Sequence, residues 1–262
     1  MRTTDTTNCD LLERAAEHCF WFGVGDFAER LARANAPYGI AKIHWAQEQL
    51  GLPPDATFVS APDVTVTRNA ARWEAGIVYG GRYQWSGDLF PLELKPNYCG
   101  ATIAGLVDPP DPIALRERCA ELTGSSLRIE GVALKWNFHV SNHFVNVYRV
   151  PETTSDVEFP FLAYLHGSAH ELQEPTELGP GLYWDRSEVT RQMAERIETP
   201  WGPLHVLVGN GLQSYLEFCR RAEAATAEYR CRYVRELFSE AEILFNGTHQ
   251  GALGTSSMLL GC

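Results

Sequence analysis

The chain has 262 residues, 45% of them hydrophobic and 21% charged, a length and balance that suit one globular domain with a substantial buried core. Its formal net charge of −11, with no run of Lys and Arg, sets an unfavourable mean field for nucleic acid, so an RNA contact would need a locally basic groove. No segment approaches 18 uninterrupted apolar residues and Met1 to Asp10 lacks the order of a signal peptide, which argues against a membrane span and makes a soluble, cytoplasmic protein the expectation.

Asp10 stands before Leu11, Leu12, Ala15, Ala16 and Cys19 at helical spacing and is expected to cap a first helix. A second helix from about Asp26 to Ala34 and a third from about Ile40 to Leu50, closed by Gly51 ahead of Pro53-Pro54, make residues 10–51 a helical opening. From Phe58 to Leu106, the runs Val64-Thr65-Val66-Thr67 and Gly76-Ile77-Val78-Tyr79 alternate with Gly, Pro and Asp, the composition of strands and loops. Asp111-Pro112 opens a helix to about Leu122; Leu127 to Leu134, Asn137 to Val150 and Phe159 to Leu165 then read as strands, followed by a loop from Glu171 to Gly181. Between about Gly211 and Phe238, Leu212, Tyr215, Leu216, Cys219, Ala222, Thr226, Tyr229, Tyr233 and Leu237 recur every three or four residues, the pattern of a long amphipathic helix. A last strand, Ile243-Leu244-Phe245, leads to His249. With no repeat and no convincing linker, the class is α+β and residues 1–262 read as one domain, with its core over 58–262. The seven cysteines form an odd set without CxxC spacing, so no disulfide framework is expected.

Several side chains have the chemistry of metal ligands. His143 lies in Val140-Ser141-Asn142-His143-Phe144-Val145-Asn146-Val147-Tyr148, where a period of two points His139, Ser141 and His143 to one face and Asn142 and Asn146 to the other. On a regular strand His139 and His143 are about 13 Å apart, too far to share an ion, so one of them at most is a ligand. His166 follows the apolar run ending at Leu165 and precedes Gly167-Ser168, where a buried strand opens into a loop. His166 and His170 also have the i, i+4 spacing that chelates zinc from a helix, although Gly167-Ser168 disfavours a helix start and the order lacks the zincin pattern. Cys99 sits in Leu94-Lys95-Pro96-Asn97-Tyr98-Cys99-Gly100, where Gly100 permits close backbone approach; the plainer alternative is a small buried residue. His249, in Asn246-Gly247-Thr248-His249-Gln250-Gly251, follows an apolar strand, and its plainer alternative is a turn histidine.

Taken in order, these stretches resemble the RtcB family of RNA 3′-phosphate ligases. Ala61-Pro62-Asp63-Val64 resembles the family's Met-Pro-Asp-Val-His, Gly80-Gly81 followed by Asn97-Tyr98-Cys99-Gly100 its Gly-Gly segment and Asp-x-x-Cys-Gly loop, Ser141-Asn142-His143-Phe144 its Gly-Asn-His-Phe, and Leu165-His166-Gly167-Ser168 its His-Ser-Gly-Ser turn. The long helix, with Gly211 to Leu216 and Tyr229-Arg230, and the strand Phe245 to Gln250 are similar to later family elements, so the likeness covers roughly residues 58 to 251. It implies an RtcB-like mixed sheet in which Cys99, His143, His166 and His249 ligate divalent metal. Three positions depart from the pattern: Pro96 falls near the loop aspartate, Thr65 replaces the histidine after Pro-Asp-Val, and Asn146 replaces a glutamate. The family's C-terminal histidine that takes up GMP has no counterpart in the 13 residues from 250 to 262.

Thiolate with imidazole suits manganese, iron or zinc and leaves the metal open. The expectation is a metal-dependent enzyme that uses activated water or a Lewis-acid ion on a small molecule, such as a phosphate ester or a nucleotide-like compound. Asn142 and His170, beside the ligands in the motifs, are the candidate catalytic side chains. The alternatives are an RNA ligase, in which His139, His170 or His205 or a partner chain replaces the missing nucleophile, and a noncatalytic protein that keeps metal for stability. The acidic balance and the missing histidine make RNA and GTP the less expected partners; no membrane partner is expected.

Overall fold

Helix α1 (Thr3–Glu17) starts well before Asp10, which therefore lies inside it and is not its cap; the apolar spacing marks only the packed part of the helix. The computed structural model describes residues 3–151 and 158–261. The two helices expected over 26–34 and 40–50 are one, α2 (Phe27–Gln49), capped by Asp26, whose carboxylate accepts from the Glu29 amide at 2.8 Å. Pro37 removes one bond of the ladder, but Ala32, Ala36, Ile40 and Ile43 on either side of it are fully buried, and that packing holds the helix continuous. Gly39 is required on the same face: a Cβ there would stand 2.3 Å from the Gly76 carbonyl oxygen.

Strand β1 (Cys19–Phe20) lies between those helices; β2 (Thr57–Thr65), α3 (Ala70–Glu74), β3 (Tyr79–Gln84), β4 (Leu89–Pro91), β5 (Gly100–Leu106), α4 (Pro112–Leu122), β6 (Ser126–Ile129) and β7 (Val132–Lys135) follow. The rest comprises β8 (Phe144–Arg149), β9 (Phe161–Gly167), α5 (Glu188–Met193), β10 (Glu195–Ile197), β11 (Leu204–Val208), α6 (Gly209–Leu237), β12 (Glu242–Thr248), β13 (Gln250–Ala252) and β14 (Ser257–Leu260). The class is α+β, and among the described residues no helix is long and apolar enough to cross a membrane.

Several expected strands move. Of the runs at 64–67 and 76–79, only Val64-Thr65 belongs to β2 and only Tyr79 to β3; between the runs lies α3, which Asn69 caps from its side chain. The expected strand from Leu127 to Leu134 is the hairpin β6–β7, turning at Glu130-Gly131 with φ of 44° and 88°. The expected strand from 137 to 150 begins only at Phe144.

The chain divides into two compact units. The first comprises Met1–Pro96, Leu182–Glu217 and Gln250–Cys262. It holds a mixed five-stranded sheet in the order β1-β2-β3-β14-β13, with β1 parallel to β2, and a three-stranded sheet β10-β11-β4. Ile40, Ile43, Phe58, Ile77 and Tyr83 are fully buried within it.

The second unit comprises Asn97–Gly181 and Phe218–His249. Its sheet is antiparallel in the order β12-β5-β9-β8. Register divides the side chains cleanly between two faces, since cross-strand partners share a face. Gly247, Ala101, His166 and Phe144 fall on one; Asn246, Thr102, Leu165 and Val145 fall on the other, and the Asn246 side chain there accepts from Arg230 and donates to the Ala227 carbonyl of α6.

Candidate metal centre

Cys99 ends a loop that its own side chains hold. The Asn97 amide donates to Cys99 Sγ at 3.1 Å and to Ser168 Oγ at 3.0 Å, and its oxygen accepts from Gln173 Nε2 at 2.8 Å, which fixes the amide's orientation. Tyr98 turns the chain through a φ of 52°. At Gly100 a Cβ would stand 2.3 Å from the Gly247 carbonyl and 2.8 Å from the Arg230 guanidinium, so only glycine lets that cation approach. Arg230 is fully buried, donating to Asn246 Oδ1 at 3.0 Å, Tyr98 O at 3.2 Å and Gly167 O at 3.3 Å. Burial lowers its guanidinium to about 10, and the neighbouring Cys99 sulfur is the largest influence in the other direction.

His143 does not lie on a strand. Its amide donates to Val140 O at 3.1 Å, the Val140 amide donates to Asn137 O at 3.0 Å, and Ser141 has a φ of 62°, so residues 137–143 form a coiled turn before β8. The strand spacing assumed for His139 and His143 therefore does not apply. The α6 residue Tyr229 supports this turn: its hydroxyl accepts from the Asn137 amide at 3.2 Å, and its ring stacks on Phe138 with 5.3 Å between centroids. His166 is the penultimate residue of β9, still on the strand, and His170 opens a short 3₁₀ turn, His170–Gln173, so the pair does not share a helix.

Both imidazoles have one nitrogen committed. His143 Nδ1 lies 2.9 Å from Asn137 Oδ1, and the Asn137 amide nitrogen donates to Ser168 O at 2.7 Å, which leaves Oδ1 as the acceptor and Nδ1 as the donor. His166 Nδ1 lies 2.9 Å from the Asn142 carbonyl, which can only accept. Each Nε2 is therefore the unprotonated nitrogen of its ring. That of His143 faces Cys99 Sγ at 3.6 Å, and that of His166 faces His249 Nε2 at 2.8 Å. The two pairs adjoin, with 5.6 Å between the His143 and His166 ring centroids, and the His249 amide donates to the Cys99 carbonyl at 3.0 Å. Burial, reinforced by His170 and His166, lowers His143 to about 3; burial also lowers His166. Both rings are neutral at pH 7.

The four expected ligands are thus gathered in one unit, as two pairs. Among the described residues, no group of three or more His, Cys, Asp or Glu side chains stands where it could hold a metal ion. His170 stacks on His143 with 4.9 Å between centroids, whereas the Asn142 side chain is exposed and its contribution is the backbone carbonyl on His166. Asn146 points away to Tyr148 Oη at 3.0 Å. His205 belongs to the first unit, where its Nδ1 donates to Glu93 Oε1 at 2.8 Å.

No family model, curated protein or solved structure matches this chain.

Sequence reasoning missed the residues that orient the ligands. Asn97 and Arg230 lie within the quoted motifs, so a signal existed for them. Ser168 also lies in a quoted motif, whereas Asn137 stands outside all of them and is tied to Ser168 across 31 positions.

Proposed function

We propose that Cys99, His143, His166 and His249 hold one divalent transition metal in a divergent RtcB-like scaffold, and that the protein is a metal-dependent enzyme acting on a small phosphate ester or nucleotide-like molecule. The observation that carries this reading is the pair of imidazoles whose Nδ1–H groups are tied to Asn137 and Asn142, leaving Nε2 electron pairs beside a thiol and a third imidazole. Metal-ligating histidines are oriented in this way by their outer partners.

The distances test the fit. On a tetrahedral ion with bonds of about 2.3 Å to sulfur and 2.05 Å to nitrogen, a sulfur and a nitrogen ligand stand about 3.6 Å apart and two nitrogens about 3.3 Å apart. Cys99 and His143 match the first at 3.6 Å, while His166 and His249, at 2.8 Å, must open by about half an ångström. Each pair taken alone is thus compatible with a shared ion, but no three of the side chains stand in metal-holding geometry among the described residues, so one ion on all four requires the two pairs to move together. A bound ion would supply a Lewis acid or a water of lowered pKa. The chain's own residues do the rest: Asn97 donates to Sγ, Asn137 and the Asn142 carbonyl hold the tautomers, and His170, stacked on His143, is the proton carrier of this proposal.

Protein purified without chelator is expected to contain about one manganese, iron or zinc per chain by elemental analysis. Cys99→Ser and His143→Ala should remove it, and His170→Ala should retain it. Metal-free protein that micromolar manganese, iron and zinc all fail to load would end this reading.

A further inference from the structure

The second unit carries a cleft of about 580 Å³ on the sheet face opposite His166. Val145 and Val147 of β8 and Phe161 of β9 form its floor, and Pro110, Leu115 and Cys119 form the wall at α4. Register fixes the separation from the candidate centre: Phe144 pairs with His166 on one face, whereas Val145 and Val147 pair with Leu165 and Ala163 on the other. The size is that of a small-molecule pocket, and the apolar lining is only half-buried.

The charge pattern selects the occupant. Among the described residues, Arg116 and Arg149 are the charged side chains that line the cleft, and no acid lines it with them, in a chain whose net charge is −11. A guanidinium offers a planar fork matched to carboxylate and phosphate oxygens. We propose that this cleft binds a soluble amphiphile with an anionic head, a carboxylate or phosphate on a short aliphatic or aromatic body, with the body on the valines and Phe161 and the head on the two arginines. The site is independent of the metal reading.

Cys119 lines the cleft and serves as its reporter, with the exposed Cys9 as the reference. Alkylation of each thiol by N-ethylmaleimide, followed by peptide mass spectrometry, is compared with decanoate, decyl phosphate, decanol and decyltrimethylammonium present. Decanoate and decyl phosphate should slow Cys119 about tenfold, as for a site nine-tenths filled, and leave Cys9 unchanged. In the double variant Arg116→Gln, Arg149→Gln, the half-protecting concentration should rise about 100-fold, roughly tenfold per charge-assisted hydrogen bond. The variant's metal content should equal that of the parent, which separates this test from that of the metal site. Equal protection by decanol or the quaternary amine, unchanged protection in the double variant, or no protection would overturn the proposal. Sedimentation with phosphatidylglycerol vesicles in place of protection by the free amphiphiles would overturn it too.

Discussion

Asn137 links two parts of the candidate centre through a single amide: its oxygen accepts from His143 Nδ1 and its nitrogen donates to the Ser168 carbonyl. Leucine has similar volume but neither group. Asn137→Leu should weaken metal binding by about 10- to 100-fold, measured by competition with a calibrated chelator, because the imidazole loses the partner that sets its tautomer. It should also cost about 1–3 kcal/mol in urea unfolding, since a buried donor and a buried acceptor are left unpaired. Asn137→Asp keeps the acceptor and should keep the affinity. Full affinity in the leucine variant would show that the tautomer lock is irrelevant to binding.

Hairpin β6–β7 turns through two residues that both have positive φ, Glu130 at 44° and Gly131 at 88°. Glycine adopts that region freely, but glutamate is strained there, and asparagine is the residue such two-residue turns favour. Glu130→Asn should therefore stabilise the protein by about 0.5–1 kcal/mol, even though it removes the exposed ion pair between Glu130 and Arg221, which is worth little. The check is the urea midpoint at unchanged slope; a lower midpoint would mean that the ion pair outweighs the backbone strain. At the same scale, α4 was legible to the residue, because Asp111 at the cap and Pro112 in the first turn are strong local signals. Helix α2 was not, because the side chains that carry the chain through Pro37 are buried by partners remote in sequence.

Across the whole molecule, a histidine in the first unit makes stability depend on pH. His44 Nε2 donates to Ala56 O at 2.8 Å, while Nδ1 is buried without a hydrogen-bond partner. Burial lowers its pKa from 6.5 to about 4. Between those values the unfolded chain binds a proton that the folded chain refuses, so stability is complete above about pH 6.5 and falls as the pH drops toward 4. The slope approaches about 1.4 kcal/mol per pH unit for this one group. His44→Gln keeps a donor for Ala56 and cannot titrate. Between pH 7.5 and 5.0, denaturant unfolding should show the variant losing about 1–2 kcal/mol less than the parent. An equal loss in both would assign the acid sensitivity to other groups.

By itself the sequence determined the α+β class, α4, the long helix α6 and the order in which Cys99, His143, His166 and His249 occur. These are properties of spacing and of short-range capping, which a helix or a motif expresses within a turn or two. Only the tertiary structure decided that His143 sits in a turn, that Arg230 reaches the Cys99 loop over Gly100, and which nitrogen of each imidazole is unprotonated. The turn closes on bonds three positions apart, but it is held in place by Tyr229, and the other outcomes depend on bonds such as Arg230 to Tyr98 and His166 to Asn142, 132 and 24 positions apart. A local pattern carries no record of such partners, because their pairing is set when the strands of the sheet find their register.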